Sequence, residues 1–375
     1  MSVFERLLRL PFAGIGKLCL AAISRCASWW TRLVAFLGWQ PVQAAAIADK
    51  NDDIPSPPPH AAATEEKPQG RPRTITYVGV AGDWERELHP NWSEQVFQVP
   101  ADVPYGTIYY VRKGTHAGFG MTAHIERAPE GHVVKTPKAN PYDPLEEEGN
   151  RADMRIEAEV YRRVGPDCPY IPKMIGWDQN TCCLSLEYLE NGPLSLYIKG
   201  LKSPRWEENP PDIAPALRRR WALQATRGLS ALHSANVIHG DLTPRNVLLD
   251  ADFNVRVADF AGSCIDGARY KICAGERYLV PGWSFRKTPE PADDLFLLGG
   301  LIYFIMTSKE PHQDVASEFD VAKLLEAGQF PDVAGLDCGA VIQGCWNGSL
   351  KSAEAVLEQL LAVFGTDDDP LVQTM

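Results

Sequence analysis

No run of about 18 apolar residues occurs anywhere in the chain, so none of it reads as a membrane-spanning helix. Cysteines at CxxC spacing are missing too. The nine that are present run irregularly from Cys19 to Cys345, an odd number that argues against a disulfide framework or zinc site and for free thiols in a reducing, cytoplasmic setting. A basic surplus is also lacking: 37 Lys and Arg stand against 48 Asp and Glu, a net charge of −11, which removes the electrostatic reason for coating nucleic acid. No internal repeat appears. What is present is ordinary globular material. Over 375 residues, 45% are hydrophobic and 23% charged, enough for one large domain or two average ones.

Residues 1–48 differ from the rest. Arg6, Arg9, Lys17, Arg25 and Arg32 face only Glu5, and on a helical wheel Arg6, Arg9, Lys17 and Arg32 lie opposite Leu8, Phe12, Ile15, Ile23 and Trp30. Pro11, Gly14 and Gly16 interrupt this basic amphipathic pattern. Three readings stay open: a loosely docked tail, an anchor on a membrane surface, and an organellar (mitochondrial) transit peptide. Residues 49–73, with Pro55, Pro57, Pro58, Pro59, Pro68 and Pro72, read as a linker. Short β-type runs follow at 74–80, 95–99, 107–112, 121–125 and 133–135, with residues 74–104 an extension of a small β-rich lobe. A helix is expected over about 150–164 and a strand over 183–188. Beyond Pro215 the pattern is helical apart from one hairpin. Two unequal lobes with a cleft between them are implied.

The most informative window is Val237–Phe260, VIHGDLTPRNVLLDADFNVRVADF. Val247–Leu249 and Val255–Ala258 flank a turn and predict an antiparallel hairpin. Asn246 precedes the first strand and Asp259 follows the second, so strands about 4.8 Å apart bring an amide oxygen and a carboxylate together. Such a pair suits Mg²⁺, which keeps waters and takes further ligands from substrate phosphates. Asp241, on the preceding loop, supplies a carboxylate for a general-base or nucleophile-orienting role. Taken singly, each of these residues is an ordinary turn or strand-end residue; the combined spacing is what points to chemistry.

The window resembles the catalytic loop and metal-binding motif of the eukaryotic protein kinase superfamily, in a wording similar to small kinase-like proteins of filamentous fungi. The resemblance covers about residues 105–365 and implies an α+β, bilobal protein-kinase-like fold with a small β-rich lobe and a larger helical one. It implies ATP and Mg²⁺ as cofactors, Asn246 and Asp259 as metal ligands, and Asp241 as catalytic residue. Val133-Val134-Lys135 resembles the strand whose lysine holds nucleotide phosphates. Within the helix, Glu157 borders the apolar stripe of Ile156, Val160 and Val164 while Glu159 points away, so Glu157 is the expected partner of Lys135. Leu186-Glu187-Tyr188-Leu189 is similar to the hinge that pairs with adenine, with Leu186 as gatekeeper and Glu187 and Leu189 contributing main-chain groups. Gly118 and Gly120, within GTHAGFG, match the glycine loop only around Phe119-Gly120. Asp294 heads an apolar run to Met306 and reads either as the N-cap of a buried helix or as the family aspartate that holds the catalytic loop. His233 reads as a packed core residue.

Several positions depart from the family. Gly240 and Thr243 replace an arginine and a lysine around Asp241, and Arg245 is expected to reach the transferring phosphoryl group in place of the lysine. Loss of the arginine implies activity independent of activation-loop phosphorylation. Ala261 replaces a glycine after Asp259-Phe260, so that either an in/out flip of Phe260 is hindered or Gly262 takes the flexible role. Val280-Pro281-Gly282 lacks the Ala-Pro-Glu glutamate that anchors the substrate loop. The leading reading is an ATP/Mg-dependent protein kinase with a serine or threonine acceptor. The alternatives are a pseudokinase or nucleotide-binding scaffold, and a small-molecule phosphotransferase of the aminoglycoside-kinase type.

Overall fold

The computed structural model describes residues 71–200, 212–365 and 369–372. The basic segment 1–48 and almost all of the 49–73 linker lie outside the described residues. The first lobe is built on a sheet of five strands, β3 (Thr115–Phe119), β4 (Ala123–Arg127), β5 (Val133–Pro137), β6 (Met174–Asp178) and β7 (Cys183–Leu186). Their order is β3-β4-β5-β7-β6, and every pairing is antiparallel. Central β5 carries Lys135, whose Cα neighbours are Ile125 and Leu184. Helix α2 (Pro144–Val164) follows this strand in the chain. Asp143 caps it by accepting from the amides of Leu145 (3.2 Å) and Glu146 (3.1 Å), with Pro144 in the first turn where no amide is needed. The helix therefore starts nearly two turns before residue 150. Its opening turns are too polar to carry an apolar stripe.

Three β-type expectations changed. Residues 95–99 form no strand: Glu94–Phe97 is a 3₁₀ turn, because Ser93 caps it and the Val96 amide bonds back to the Ser93 carbonyl at 3.0 Å. The strand expected at 121–125 is Ala123–Arg127. Residues 115–119, read only as glycine loop, are a strand in their own right. The extension contributes β1 (Thr76–Val80) and α1 (Asp83–Leu88), and β1 pairs in parallel with β2 (Thr107–Val111).

This extension is clamped to the sheet by aromatic contact. Tyr110 stacks on His124 of β4 at 3.7 Å and Tyr77 meets the same ring edge-on at 5.2 Å. Burial, helped by the Lys138 charge, pulls the His124 imidazole from 6.5 down to about 4. An unfolded chain takes up this proton near 6.5 and the folded one only near 4, so the stabilisation is complete above 6.5 and is lost as pH falls toward 4. His124→Phe should thus flatten the fall in urea midpoint across that window. Identical pH slopes for the two proteins would refute this account.

The second lobe is helical. Long helix α4 (Pro215–Ser234) follows β8 (Gly192–Pro193) and the short α3 (Leu194–Ile198). Strand β9 (Val237–Ile238) comes next, then the hairpin of β10 (Val247–Leu249) and β11 (Val255–Val257), and β12 (Cys264–Ile265), which pairs with β9. Helices α5 (Pro291–Thr307), α6 (Glu318–Glu326), α7 (Gly339–Trp346) and α8 (Ala353–Phe364) complete it. α5 is buried from Asp293 to Ile305 and apolar all round from Leu295 on, as a helix at the centre of a core must be. Around it pack Trp221, Leu229, Ile342, Trp346 and Leu360 in one continuous cluster that reaches Leu184 and Leu186 of the sheet. The expected α+β bilobal architecture is what the chain adopts.

Candidate active site

The Lys135 ammonium is 2.9 and 2.6 Å from the two Glu157 carboxylate oxygens and 2.8 Å from Asp259 Oδ1. The strand lysine and helix glutamate meet as expected, and the aspartate after the hairpin joins them. Glu159 points away and pairs with Arg163 at 3.0 Å. Burial opposes the charge on Lys135, but the Asp259 and Glu157 carboxylates outweigh it and hold its pKa above the usual range. Burial lifts the Glu157 carboxyl, with Lys135 acting against the lift. Those two directions pull differently on one pair, and the lysine's governs: an ammonium between two carboxylates stays charged. Lys135, in turn, holds Asp259 below its usual range.

Asp259 sits where the hairpin opens. The ladder runs one step past β10 and β11, with the Ala258 amide on the Asn246 carbonyl at 2.8 Å, and the next residue turns out at φ +68°. Phe260 turns inward, fully buried against Tyr161 (5.1 Å) and His239 (5.5 Å). Gly262, a candidate for the flexible role, does something else: a Cβ there would lie 2.6 Å from Ile272 Cγ2, so the position demands close packing.

The loop before β10 is tied at both ends. Asp294, fully buried, accepts the His239 amide at 2.7 Å and the Gly240 amide at 2.8 Å, and its Oδ2 lies 3.0 Å from His233 Nε2. The N-cap of α5 is Glu290, so Asp294 is a loop holder and not a cap. His233, read as a packed core residue, is a partner of Asp294. His239 Nδ1 accepts the Asp241 amide (3.2 Å) while Nε2 faces the Ala258 carbonyl (3.1 Å), which places the ring proton on Nε2. Gly240 adopts φ +74° opposite the Tyr270 ring, the left-handed region that favours glycine.

Asp241 is buried, and its carboxylate takes Arg245 Nη2 at 2.8 and 3.0 Å and Asn246 Nδ2 at 2.8 Å. Burial pushes its pKa up, with Arg245 and His239 opposing. Asn246 spends its amide hydrogens on Asp241, which leaves its Oδ1 to act as a ligand. The Asp259 side chain is half exposed, with only Oδ1 given to Lys135. One amide oxygen and one open carboxylate oxygen suit a hard cation that takes its other ligands from water and phosphate. Among the described residues no cluster of three His, Cys, Asp or Glu forms an all-protein metal cage.

The remaining expected residues lie on separate elements. At the β3–β4 tip a Cβ on Gly120 would lie 2.6 Å from the Ala123 carbonyl, so glycine is required there, whereas Gly118 has ordinary room. Lys138 Nζ ties this tip by binding the Gly120 carbonyl at 2.5 Å and that of Met121 at 3.2 Å, and Phe119 stands 97% exposed beside it. Leu186 is buried; Glu187 gives its amide to the Lys173 carbonyl (2.9 Å), and the Leu189 carbonyl takes the Gly192 amide (3.1 Å).

Sequence reading missed the ties of the segment after Asp259. Arg163 of α2 grips Asp266 with two 2.7 Å bonds, and Lys271 lies 3.6 Å from Asp153 of the same helix. Arg277 donates to the carbonyls of Pro311 (3.2 Å), His312 (2.7 Å) and Val315 (2.9 Å). This guanidinium anchors the loop that lacks the Ala-Pro-Glu glutamate. Contacts between residues so far apart leave no spacing signal.

Residues 121–348 match the family described as protein kinase domain. Similar curated proteins include the serine/threonine/tyrosine-protein kinase HT1 of Arabidopsis thaliana, 28% identical over 172 residues that make up 44% of this chain and 42% of that protein. The probable serine/threonine-protein kinase PBL28 of the same plant is 31% identical over 192 residues, 48% of each chain. Aurora kinase B of Drosophila melanogaster is 26% identical over 217 residues, 56% of this chain and 63% of the other. The chain therefore spans less than two thirds of the length of each of these relatives.

Proposed function

Because this chain belongs to the protein kinase family, we propose that it transfers the γ-phosphoryl group of ATP, with Mg²⁺, to a serine or threonine hydroxyl of a protein. The observation that carries this reading is the Lys135–Glu157–Asp259 cluster, a cation fixed between a helix and the hairpin mouth. Two carboxylates around one buried ammonium leave the cluster with a net negative charge, which a divalent cation at the open Asp259 oxygen would offset. Lys135 would neutralise nucleotide phosphates, with Glu157 holding its ammonium in place. Asn246 Oδ1 and Asp259 would hold the metal, which supplies charge neutralisation at the phosphate oxygens. Asp241 accepts the hydroxyl proton, and Arg245, on its carboxylate with a half-exposed guanidinium, would reach the transferring phosphoryl group. Gly118, Gly120, Glu187 and Leu189 are assigned to ATP through main-chain groups. The serine/threonine preference rests on the names of the relatives.

Mg²⁺ and ATP together should raise the melting temperature, since binding the native state at a hundredfold excess over Kd adds about 2.7 kcal/mol. Absence of a shift in wild type, with none lost in Asp259→Ala, would reject the reading. Transfer of labelled phosphate to serine and threonine peptides but not to tyrosine peptides would establish the acceptor.

The same geometry bears on regulation. Ser263, Tyr270 and Tyr278, the three hydroxyl side chains between Ala261 and Pro281, are all buried. The charges that tie this segment to α2 come from side chains, Asp266 and Lys271, and need no added phosphate. Phosphatase treatment of the purified protein should leave its kcat unchanged, and a fall of tenfold or so would contradict this arrangement.

A further inference from the structure

Past α8, residues 369–372 form a tight turn. The Val372 amide bonds to the Asp369 carbonyl (3.2 Å) and the Leu371 amide to Asp369 Oδ1 (3.0 Å), with Pro370 between them. Aspartate followed by proline favours such turns, because the carboxylate caps the backbone and the ring presets φ. The turn drives the Asp369 side chain to full burial in the helical lobe. There Oδ1 also accepts Gln224 Nε2 at 2.8 Å, while Oδ2 accepts the Tyr170 hydroxyl at 3.0 Å and Arg227 Nη1 at 2.7 Å. Two oxygens thus receive four donors, the full capacity of a carboxylate, and one donor is a cation. An amide of the same shape would turn its NH₂ toward those donors.

Two of the residues that hold this carboxylate also hold β11. Gln224 Oε1 accepts the Val255 amide at 2.7 Å, and the Tyr170 carbonyl accepts the Val257 amide at 2.8 Å. α4 and β11 have no slack between them: a Cβ on Gly228 would lie 2.7 Å from Val257 Cγ2. Asp259 comes two residues after Val257. We propose that Tyr170, Gln224 and Arg227 form a carboxylate receptor, filled within the chain by Asp369, whose occupancy positions β11 and through it the Asp259 carboxylate. The ligand class is a side-chain carboxylate presented on an aspartate–proline turn. Asp369 is a positioning residue. The link to metal and nucleotide rests on the proposed phosphotransferase reading; the receptor does not.

In the full chain, Asp369→Ala should raise hydrogen exchange at the Val255 and Val257 amides by about tenfold, while amides in the middle of α5 keep their protection. KM for Mg·ATP should rise with kcat little changed. Sodium acetate should restore protection by refilling the receptor, sodium chloride at equal ionic strength should not, and adding Arg227→Met should abolish the rescue. Unchanged exchange at the two amides, or equal effects of acetate and chloride, overturns the receptor. Raised exchange with an unmoved KM overturns only its link to Asp259. If wild type binds no Mg·ATP, the phosphotransferase reading fails and exchange alone judges the receptor. Should Asp369→Ala not fold, Pro370→Gly leaves every receptor residue in place and should give a smaller rise at the same two amides; no rise again overturns the proposal.

Discussion

Alanine at position 241 is expected to lower kcat for phosphoryl transfer by about 10²–10⁴-fold, the usual contribution of a positioned general base. KM for Mg·ATP should stay within about threefold, because the metal-facing oxygens belong to Asn246 and Asp259 and the phosphate-facing ammonium to Lys135. The fold should survive. Burial lifts the pKa of this carboxyl, so its ionised form is held in the native state at a cost, and removing it relieves that cost even as Arg245 and Asn246 lose a partner. The same shift sets a pH signature. A base whose pKa is raised loses its working form sooner on acidification, so wild-type kcat should begin to fall at a higher pH than an exposed aspartate would allow. A drop of less than tenfold in Asp241→Ala, measured with saturating ATP and acceptor, would remove this residue from the chemistry.

Asp294→Ala should cost about 3–5 kcal/mol in urea unfolding and abolish activity together with it. Its carboxylate is the acceptor for two buried backbone amides, His239 and Gly240, and lies beside the His233 ring, and no water reaches that place to take over. Asp294→Asn should fall between the alanine variant and wild type, since one oxygen remains while the new NH₂ meets an N–H. A loss below about 1 kcal/mol for the alanine variant would show that the loop holds its shape without this anchor.

What could be read from the sequence was local. The hairpin with Asn246 and Asp259 at its mouth follows from strand pattern and turn residues within one short window. Glu157 could be told from Glu159 because a helix presents residues to one side with fixed periodicity, and the structure puts it on Lys135. Where local signals compete, reading failed. Residues 95–99 carry strand-forming side chains, but a serine cap and i→i+3 bonds won. The first turns of α2 are charged, so its start is announced by Asp143-Pro144 and not by an apolar stripe. Asp294 looked equally like a cap, and only the three-dimensional position of His239 and Gly240 decides. Arg163 with Asp266, Lys271 with Asp153, and the three carbonyls under Arg277 are meetings of distant segments that no spacing rule encodes.

The parallel pairing of β1 with β2 reaches beyond the reaction. A shortened protein that started at residue 105 would keep β2 and discard the strand zipped to it, baring a row of amides and carbonyls onto which other chains can add. Trimming to the catalytic body would thereby leave an edge that invites association, and yield on purification would register the damage before any assay did.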